Sequence, residues 1–233
     1  MWGFVNCSRY FRTGGAPMIV LHDASLRVDT TEKVAVLIRA GQGKSTIIRM
    51  LAGLEMPDSG TVLRDAGGWP LGYSGGMNAE MTGEANIRTL AKFADVDPLE
   101  LSAFCYDFSE LGSAYHQPVK TYSSTMKGRL GMAASLGLPA RTYLADDRLV
   151  SGDEAFRAKA GAALAERLQD TGLIFVASNP RQAKDVCDRY YVVNDGAFVA
   201  CDDYDHACAM LDASQVDDAG SPLDADIPLF DLV

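Results

Sequence analysis

The segment that most constrains this chain is Gly41-Gln-Gly-Lys-Ser-Thr46, which separates an apolar run from an amphipathic pattern. The run before it, residues 34–38, is short, rich in β-branched residues and bounded by charge, which is typical of a buried strand. The pattern after it puts apolar residues on one side of a helix that ends near Gly53 and Pro57. A glycine-containing turn between a buried strand and a helix is an arrangement that binds phosphate groups.

The residue types of this turn match the needs of a bound triphosphate. Glycines let the backbone fold tightly so that its N–H groups point inward, and the helix N-terminus adds partial positive charge. Lys44 neutralises the β- and γ-phosphates, Ser45 ligates Mg²⁺ and Thr46 lies near the α-phosphate. The alternative is a glycine turn that merely precedes a helix. The predicted nucleotide-binding residues of the turn are Gly41, Gln42, Gly43, Lys44, Ser45 and Thr46.

One position departs from the full phosphate-loop pattern G-x-x-x-x-G-K-[ST]. Its first glycine is replaced here by Ile38. We expect the side chain of Ile38 to crowd the entrance of the loop, although the residues nearest the phosphates are intact.

A second buried strand, residues 142–145, leads into the acidic pair Asp146-Asp147. A carboxylate at the tip of a buried strand beside a phosphate loop is where a magnesium ligand is needed. Asp146 suits that role together with Ser45, and Asp147 is placed to polarise an attacking water. The alternative is a pair of solvated acids at a strand end.

Strands and helices alternate along the chain, which indicates an α/β fold with a largely parallel sheet. Two helices capped by Thr82 and Asp97, followed by a third that begins within residues 122–125, form a predicted helical insertion. A further buried strand spans residues 173–177. The segment Asn194-Asp-Gly196 lies between two apolar runs and predicts a β-hairpin.

Composition excludes several classes of protein. The formal net charge of −10 disfavours binding to the phosphate backbone of a nucleic acid, so we expect no nucleic-acid partner. Residues 212–233 hold six Asp and no Lys or Arg, and we expect an acidic, flexible tail there. Five cysteines without a C-x-x-C pair indicate a reducing compartment. The longest mostly apolar stretch, residues 130–140, is too short to span a bilayer, so no direct membrane insertion is expected.

Over residues 5–211 the chain resembles the ATP-binding subunits of ABC transporters, and most of all those of capsular polysaccharide export. The resemblance includes the phosphate loop and the acidic strand end. Its other motifs are Arg12-Thr13, Pro57-Asp-Ser-Gly60, Trp69-Pro-Leu-Gly-Tyr73, Gly75-Gly76, Thr82-Gly83, Phe108-Ser-Glu-Leu-Gly112, Pro118-Val-Lys-Thr-Tyr-Ser-Ser124, Asn179-Pro180 and Cys187-Asp-Arg189.

The resemblance implies a P-loop NTPase (RecA-like) core with a parallel sheet, an inserted helical subdomain at about 80–135 and a small antiparallel β portion. The nucleotide-binding domain is then residues 1–211. ATP and Mg²⁺ are the implied cofactors. The implied partners are an integral membrane permease and a second nucleotide-binding subunit, as a homodimer or a heterodimer. The implied location is peripheral, at the cytoplasmic face of the inner membrane.

The resemblance also assigns roles to residues outside the phosphate loop. Phe11 is the aromatic residue that the resemblance assigns to stacking on adenine. Its neighbour Tyr10 is the other candidate for this role. For both residues the alternative is ordinary packing in the core. The segment Ser123, Ser124, Thr125 and Met126 takes the place of the ABC signature, which acts on the nucleotide of the other subunit. Without the resemblance that segment is a simple capped helix start. Asp153 matches the loop that touches the partner subunit, and it also suits a helix cap.

Three departures from the family fall on the hydrolytic parts. Thr125 stands in place of the signature Gly, Asp147 in place of the catalytic Glu and Ser178 in place of the switch His. We therefore expect an exporter subunit with slow hydrolysis, in which Asp147 and Ser178 are the candidate catalytic residues. The competing hypothesis is a nucleotide-dependent regulatory module with little or no ATPase activity. A soluble P-loop kinase is a weaker third option, since it leaves the match at residues 122–127 unexplained.

Overall fold

The computed structural model describes residues 1–11, 17–72 and 76–217, with side chains as far as residue 213. The strands are β1 (Trp2–Phe11), β2 (Met18–Val28), β3 (Lys33–Leu37), β4 (Ser59–Leu63), β5 (Gly68–Pro70), β6 (Thr142–Asp146), β7 (Gly172–Ala177), β8 (Arg189–Asn194) and β9 (Ala197–Cys201). The α-helices are α1 (Lys44–Leu51), α2 (Gly83–Phe93), α3 (Pro98–Ser109), α4 (Ser124–Gly137), α5 (Glu154–Arg167) and α6 (Tyr204–Asp217).

Six strands form the main sheet in the order β5-β6-β7-β3-β8-β9, and every pair in it is parallel except β8 with β9. Strand β3 is buried on both faces, which explains its continuous apolar sequence. Its residues Ala35 and Leu37 belong to one core cluster, and Val34 and Val36 belong to the other. The hairpin predicted around Asn194-Asp-Gly196 joins β8 to β9, as expected.

A second, three-stranded sheet has the order β2-β1-β4 and is antiparallel. Its pairing is irregular, with register shifts between β1 and β2 after Phe4 and Cys7. Asn6 in β1 and Asp23 in β2 both have positive φ angles, 48° and 45°. These irregularities interrupt the two-residue alternation by which strands are recognised in a sequence.

Helices α2, α3 and α4 share a core of their own, in which Ile87, Leu101 and Leu130 are buried. Each of the three helices has the predicted cap: Thr82 accepts the N–H of Ala85, Asp97 caps α3, and Ser123 caps α4. Helix α3 ends at Ser109, and its C-cap residue Glu110 has a left-handed φ of 55°.

Helix α6 extends past the predicted start of the acidic tail. It continues to Asp217, so residues 212–217 are helical. The sequence allows this because the first helix breakers, Gly220 and Pro222, come later. Residues 218–233, and the quoted motif residues Arg12-Thr13, Tyr73 and Gly75, lie outside the described residues. Among the described residues, no helix has the length and apolar character needed to cross a bilayer.

Candidate nucleotide-binding site

The phosphate loop leads from β3 into α1, as the sequence predicts. Gly41 and Gly43 have φ angles of 84° and 94°, which favour glycine strongly over residues with a side chain. Gly43 is the N-cap of α1, and its carbonyl accepts the N–H of Thr46 at 2.9 Å. The loop therefore opens at the N-terminus of α1, where unpaired backbone N–H groups and the helix dipole favour an anion.

Gly43 also packs directly against Val20 at the start of β2. A Cβ atom built on Gly43 lies 2.6 Å from both terminal methyl carbons of Val20, which is closer than any real contact. Val20 is 1% exposed and belongs to the core beneath the loop. No local sequence signal predicts this contact, because it joins the loop after β3 to a strand of the other sheet.

The structure corrects the expectation for Ile38. Its side chain is fully buried in the same core cluster as Val34 and Val36, and so it does not crowd the entrance of the loop. The backbone N–H of Ile38 donates to the carbonyl of Ala177 at 3.0 Å, which extends the pairing of β3 with β7 by one residue. Ile38 thus completes the alternation of β3.

The acids at the end of β6 lie at the phosphate loop. Lys44 Nζ is 2.8 Å from Asp146 Oδ1 and also forms an ion pair with Asp147 Oδ2. Burial lowers the pKa of Lys44, but hydrogen bonds from its ammonium to the two carboxylates outweigh that effect and raise the pKa. Burial likewise raises the pKa of Asp147, and the hydrogen bonds from Lys44 and Ser178 reverse the direction and lower it.

Asp147 is held from three sides in a left-handed conformation, with φ at 56°. Its Oδ1 accepts both the backbone N–H of Ser178, at 2.8 Å, and the hydroxyl of Ser178, at 3.0 Å. Its own N–H donates to the carbonyl of Val176 at 3.0 Å. The two candidate catalytic residues, Asp147 and Ser178, are therefore in direct contact, and Lys44 binds the other carboxylate oxygen.

Phe11 and Tyr10 have different neighbours. Phe11 pairs with Met18 and packs against the core cluster that contains Val20, while the guanidinium of Arg9 lies 4.7 Å from its ring centroid. The hydroxyl of Tyr10 is instead hydrogen-bonded to His22 Nδ1 at 2.5 Å. Phe11, unlike Tyr10, thus packs in the same core as Val20, which contacts Gly43 of the phosphate loop.

The segment in the signature position begins α4. Ser123 Oγ accepts the N–H of Met126 at 3.2 Å, Ser124 and Thr125 are exposed, and Met126 packs against the helical core. Asp153 caps α5, since its Oδ1 accepts the N–H of Phe156 at 3.2 Å. The sequence analysis missed the partner of Asp153, which is Arg129 on α4.

A parallel sheet, a glycine loop at a helix N-terminus and acids at the end of a second strand, β6, define a P-loop nucleotide-binding protein. The family profile described as ABC transporter matches residues 21–150, and the chain belongs to that family. The predicted resemblance is thereby confirmed.

Curated relatives match nearly the whole chain. The ATP-binding protein BexA of Haemophilus influenzae is 36% identical over 90% of this chain and 97% of its own length. The capsule polysaccharide export ATP-binding protein CtrD of Neisseria meningitidis serogroup B is 38% identical over 87% of this chain and 94% of its own. The polysialic acid transport ATP-binding protein KpsT of Escherichia coli is 32% identical over 78% of this chain and 83% of its own length.

Solved structures confirm the predicted fold class. The ATP-binding cassette MJ0796, solved as a dimer in a post-hydrolysis state bound to ADP and phosphate, superposes with a TM-score of 0.70. It is 17% identical to this chain, and the match covers 85% of this chain and 96% of that one.

Proposed function

We propose that this chain is the ATP-binding, energising subunit of an exporter for capsular or a related surface polysaccharide. The observation that carries the proposal is the meeting of Lys44 with Asp146 and Asp147 at the phosphate loop, in a chain that aligns with BexA along nearly its whole length. Sites of phosphoryl transfer need a loop that holds the phosphates, a lysine that neutralises their charge and acids that hold the metal ion.

The residues present fit a magnesium-bound nucleoside triphosphate. The loop supplies the N–H groups at the start of α1 and the ammonium of Lys44, and Ser45 and Asp146 supply the oxygen ligands that Mg²⁺ prefers. A bound triphosphate supplies the energy of transport. Two carboxylates already neutralise the charge of Lys44, and bound phosphates would take their place as partners of its ammonium. Phe11 is the proposed adenine contact.

A groove of about 570 Å³ supports a membrane permease as partner. It lies between the end of α1 and helix α2, and its lining is mostly apolar, including Leu54, Trp69 and Phe93. Leu54 is 63% exposed and Phe93 is 85% exposed. Large exposed apolar side chains around a groove are typical of a protein-binding surface. We place the permease there, with the subunit held peripherally at the cytoplasmic face of the inner membrane.

The proposed active assembly is a dimer in which residues 123–126 of each chain act on the nucleotide of the other. Every copy of this chain carries the altered residues Thr125, Asp147 and Ser178. In a homodimer both composite sites are therefore altered. In a heterodimer with an unaltered subunit, each site still contains one altered half. We therefore propose slow hydrolysis in either assembly. The comparisons give no support to the competing hypothesis of a regulatory module.

Two experiments test the proposal. The first is titration of the purified chain with Mg²⁺-ATP, in which the wild type binds and Lys44→Ala loses at least about tenfold in affinity. The second is surface export of polysaccharide in cells that lack this chain, complemented with Phe93→Asp or with the matched control Leu99→Asp. Leu99 is an exposed apolar residue of α3, 63% exposed, that does not line the groove.

The proposal predicts normal export with Leu99→Asp and loss of export with Phe93→Asp, while both variants bind ATP. Absence of ATP binding by the wild type would refute the nucleotide-binding function. Equal export by the two variants would move the permease contact away from the groove.

A further inference from the structure

We propose that Arg9 is a positioning residue for the base of the bound nucleotide: it orients Phe11 and ties the end of β1 to the helix that follows the phosphate loop. The inference rests on the proposed function, because it assumes that Phe11 contacts adenine. Three sets of contacts support it. They join Arg9 to the Phe11 ring, to two carboxylates, and through one of these carboxylates to α1.

The first set is the contact of Arg9 with Phe11. The guanidinium carbon of Arg9 lies over the Phe11 ring, 4.7 Å from its centroid, which is within the range of a cation–π contact. The ring also packs against the core cluster that contains Val20. Arg9 thus covers one face of the ring and restricts its rotation, and adenine would stack on the opposite face. A ring that is ordered before the base arrives loses less conformational freedom on binding.

The second set fixes the guanidinium itself between two carboxylates. Nε and Nη2 of Arg9 both donate to Glu55 Oε1, at 3.0 and 2.8 Å. Nη1 donates to Asp58 Oδ1 at 2.7 Å. The side chains of Arg9 and Glu55 are 21% and 11% exposed, so water screens this pair less than it screens a surface ion pair. A planar group held by all three of its nitrogens can orient the ring beside it.

The third set connects the pair to α1. Glu55 Oε2 accepts Nε and Nη2 of Arg49, at 2.8 and 2.5 Å. Arg49 belongs to α1, which begins at Lys44 of the phosphate loop. Burial raises the pKa of Glu55, but the hydrogen bonds from Arg49 and Arg9 outweigh that effect and lower it. One ionised carboxylate therefore binds both the strand that ends in Phe11 and the helix of the phosphate loop.

Asp58 holds the backbone of the same strand. Its N–H donates to the carbonyl of Ser8 at 2.9 Å, and its Oδ2 accepts the N–H of Tyr10 at 2.8 Å. The residues on both sides of Arg9 are thus bound to one residue of the loop between α1 and β4. The end of β1 cannot move relative to this loop without breaking these hydrogen bonds.

These contacts predict that Arg9 affects binding of the base and leaves binding of the phosphates unchanged. In the proposed complex the phosphate loop holds the phosphates, and Phe11 contacts the base. Loss of Arg9 frees the Phe11 ring but leaves Lys44 and its carboxylate partners in place. Inorganic tripolyphosphate carries the phosphates without a base, and it therefore separates the two effects.

The test is calorimetric titration of the full-length chain with Mg²⁺-ATP and, separately, with Mg²⁺-tripolyphosphate. The variants are Arg9→Gln, Phe11→Ala and the double variant. Arg49→Gln is the matched control, because it removes the other guanidinium from Glu55 and leaves the contact of Arg9 with Phe11 in place. Thermal unfolding checks that each variant folds. If Arg9→Gln does not fold, Arg9→Lys keeps the positive charge between the carboxylates and loses the planar group over the ring.

We expect Arg9→Gln to weaken ATP binding by at least about fivefold and Arg9→Lys by about threefold, since the ring loses its cation–π contact and its order. Tripolyphosphate affinity should stay within about twofold in both variants, and Arg49→Gln should change either affinity by less than that. In the Phe11→Ala background, Arg9→Gln should have no further effect on ATP affinity, because Arg9 acts through the ring.

Two kinds of result would overturn the positioning role while the nucleotide-binding function stands. One is an ATP affinity of the Arg9 variant equal to that of the wild type, or a loss as large for tripolyphosphate as for ATP. The other is an effect of Arg9→Gln that persists undiminished in the Phe11→Ala background. A wild type that binds neither ligand overturns the proposed function itself.

Discussion

Ser178 donates twice to one oxygen of Asp147, through its backbone N–H at 2.8 Å and its hydroxyl at 3.0 Å. In the family pattern that the chain resembles, the two positions hold His and Glu. Here both side chains are shorter, and they still meet. The two departures therefore form a matched pair.

This pairing predicts that the two positions must be changed together. Asp147→Glu alone pushes the carboxylate away from the Ser178 donors, so we expect little gain in hydrolysis. The double variant Asp147→Glu with Ser178→His should raise single-turnover hydrolysis by about tenfold to a hundredfold, since misplacement of about 1 Å costs that much. ATP affinity serves as the control and should stay constant. Additive effects of the two single substitutions would contradict the pairing.

The two loop glycines should differ in their tolerance of alanine. Gly41→Ala meets open space and carries only the cost of a left-handed backbone, about 1–2 kcal/mol. Gly43→Ala carries that cost and also collides with Val20. Chemical denaturation should show Gly43→Ala to be less stable than Gly41→Ala by about 1 kcal/mol or more. In the Val20→Ala background the difference between the two should shrink, and an unchanged difference would argue against the contact.

Removal of Lys44 should have a pH-dependent effect on stability. The folded state holds the pKa of Asp147 below its usual range, so the stabilisation is present above about pH 4 and disappears as pH falls through the folded value. Lys44→Met should therefore lower the free energy of unfolding by about 1 kcal/mol at pH 7, a modest figure because the acids are partly exposed. Urea denaturation at pH 7 and pH 3 measures this. An equal deficit at both pH values would contradict it.

Thr125 is exposed in the first turn of α4, and in the proposed dimer its Cβ would obstruct close approach of a phosphate to the backbone. Thr125→Gly should raise the hydrolysis rate of the dimer by about tenfold. The substitution lowers the stability of the helix by only a few tenths of a kcal/mol. The capping hydrogen bond from the N–H of Met126 to Ser123 Oγ is kept. Thr125→Ala keeps the Cβ and is the control. A rate in Thr125→Ala equal to that in Thr125→Gly would assign the obstruction to the branched side chain instead.

Much of the fold was predictable because its elements are locally encoded. The buried strand before the phosphate loop, the caps at Thr82 and Asp97, and the hairpin at residues 194–196 all carry short-range signals. Strands β1 and β2 carry weaker sequence signals, because bulges and the left-handed residues Asn6 and Asp23 interrupt the alternation of inward and outward side chains.

The meeting of Lys44 with the strand-end acids was predictable from the sequence, and the other contacts around them were less so. Lys44 and the acids at 146 and 147 could be placed together because strand ends meet at one edge of a parallel sheet. The crowding expected from Ile38 was wrong, although the alternation of β3 could have indicated a buried side chain. The contacts of Val20 with Gly43 and of Arg129 with Asp153 join distant segments, and no spacing in the sequence reveals them.

The last two residues of β7 and the residue that follows them make three contacts that position the site. The carbonyl of Val176 binds the N–H of Asp147, the carbonyl of Ala177 binds the N–H of Ile38, and Ser178 binds the Asp147 carboxylate. The central strand β7 thus fixes the positions of both Ile38, at the start of the glycine loop, and Asp147. The separation between Asp147 and the start of the glycine loop is therefore fixed by the sheet, and neither loop can alter it on its own.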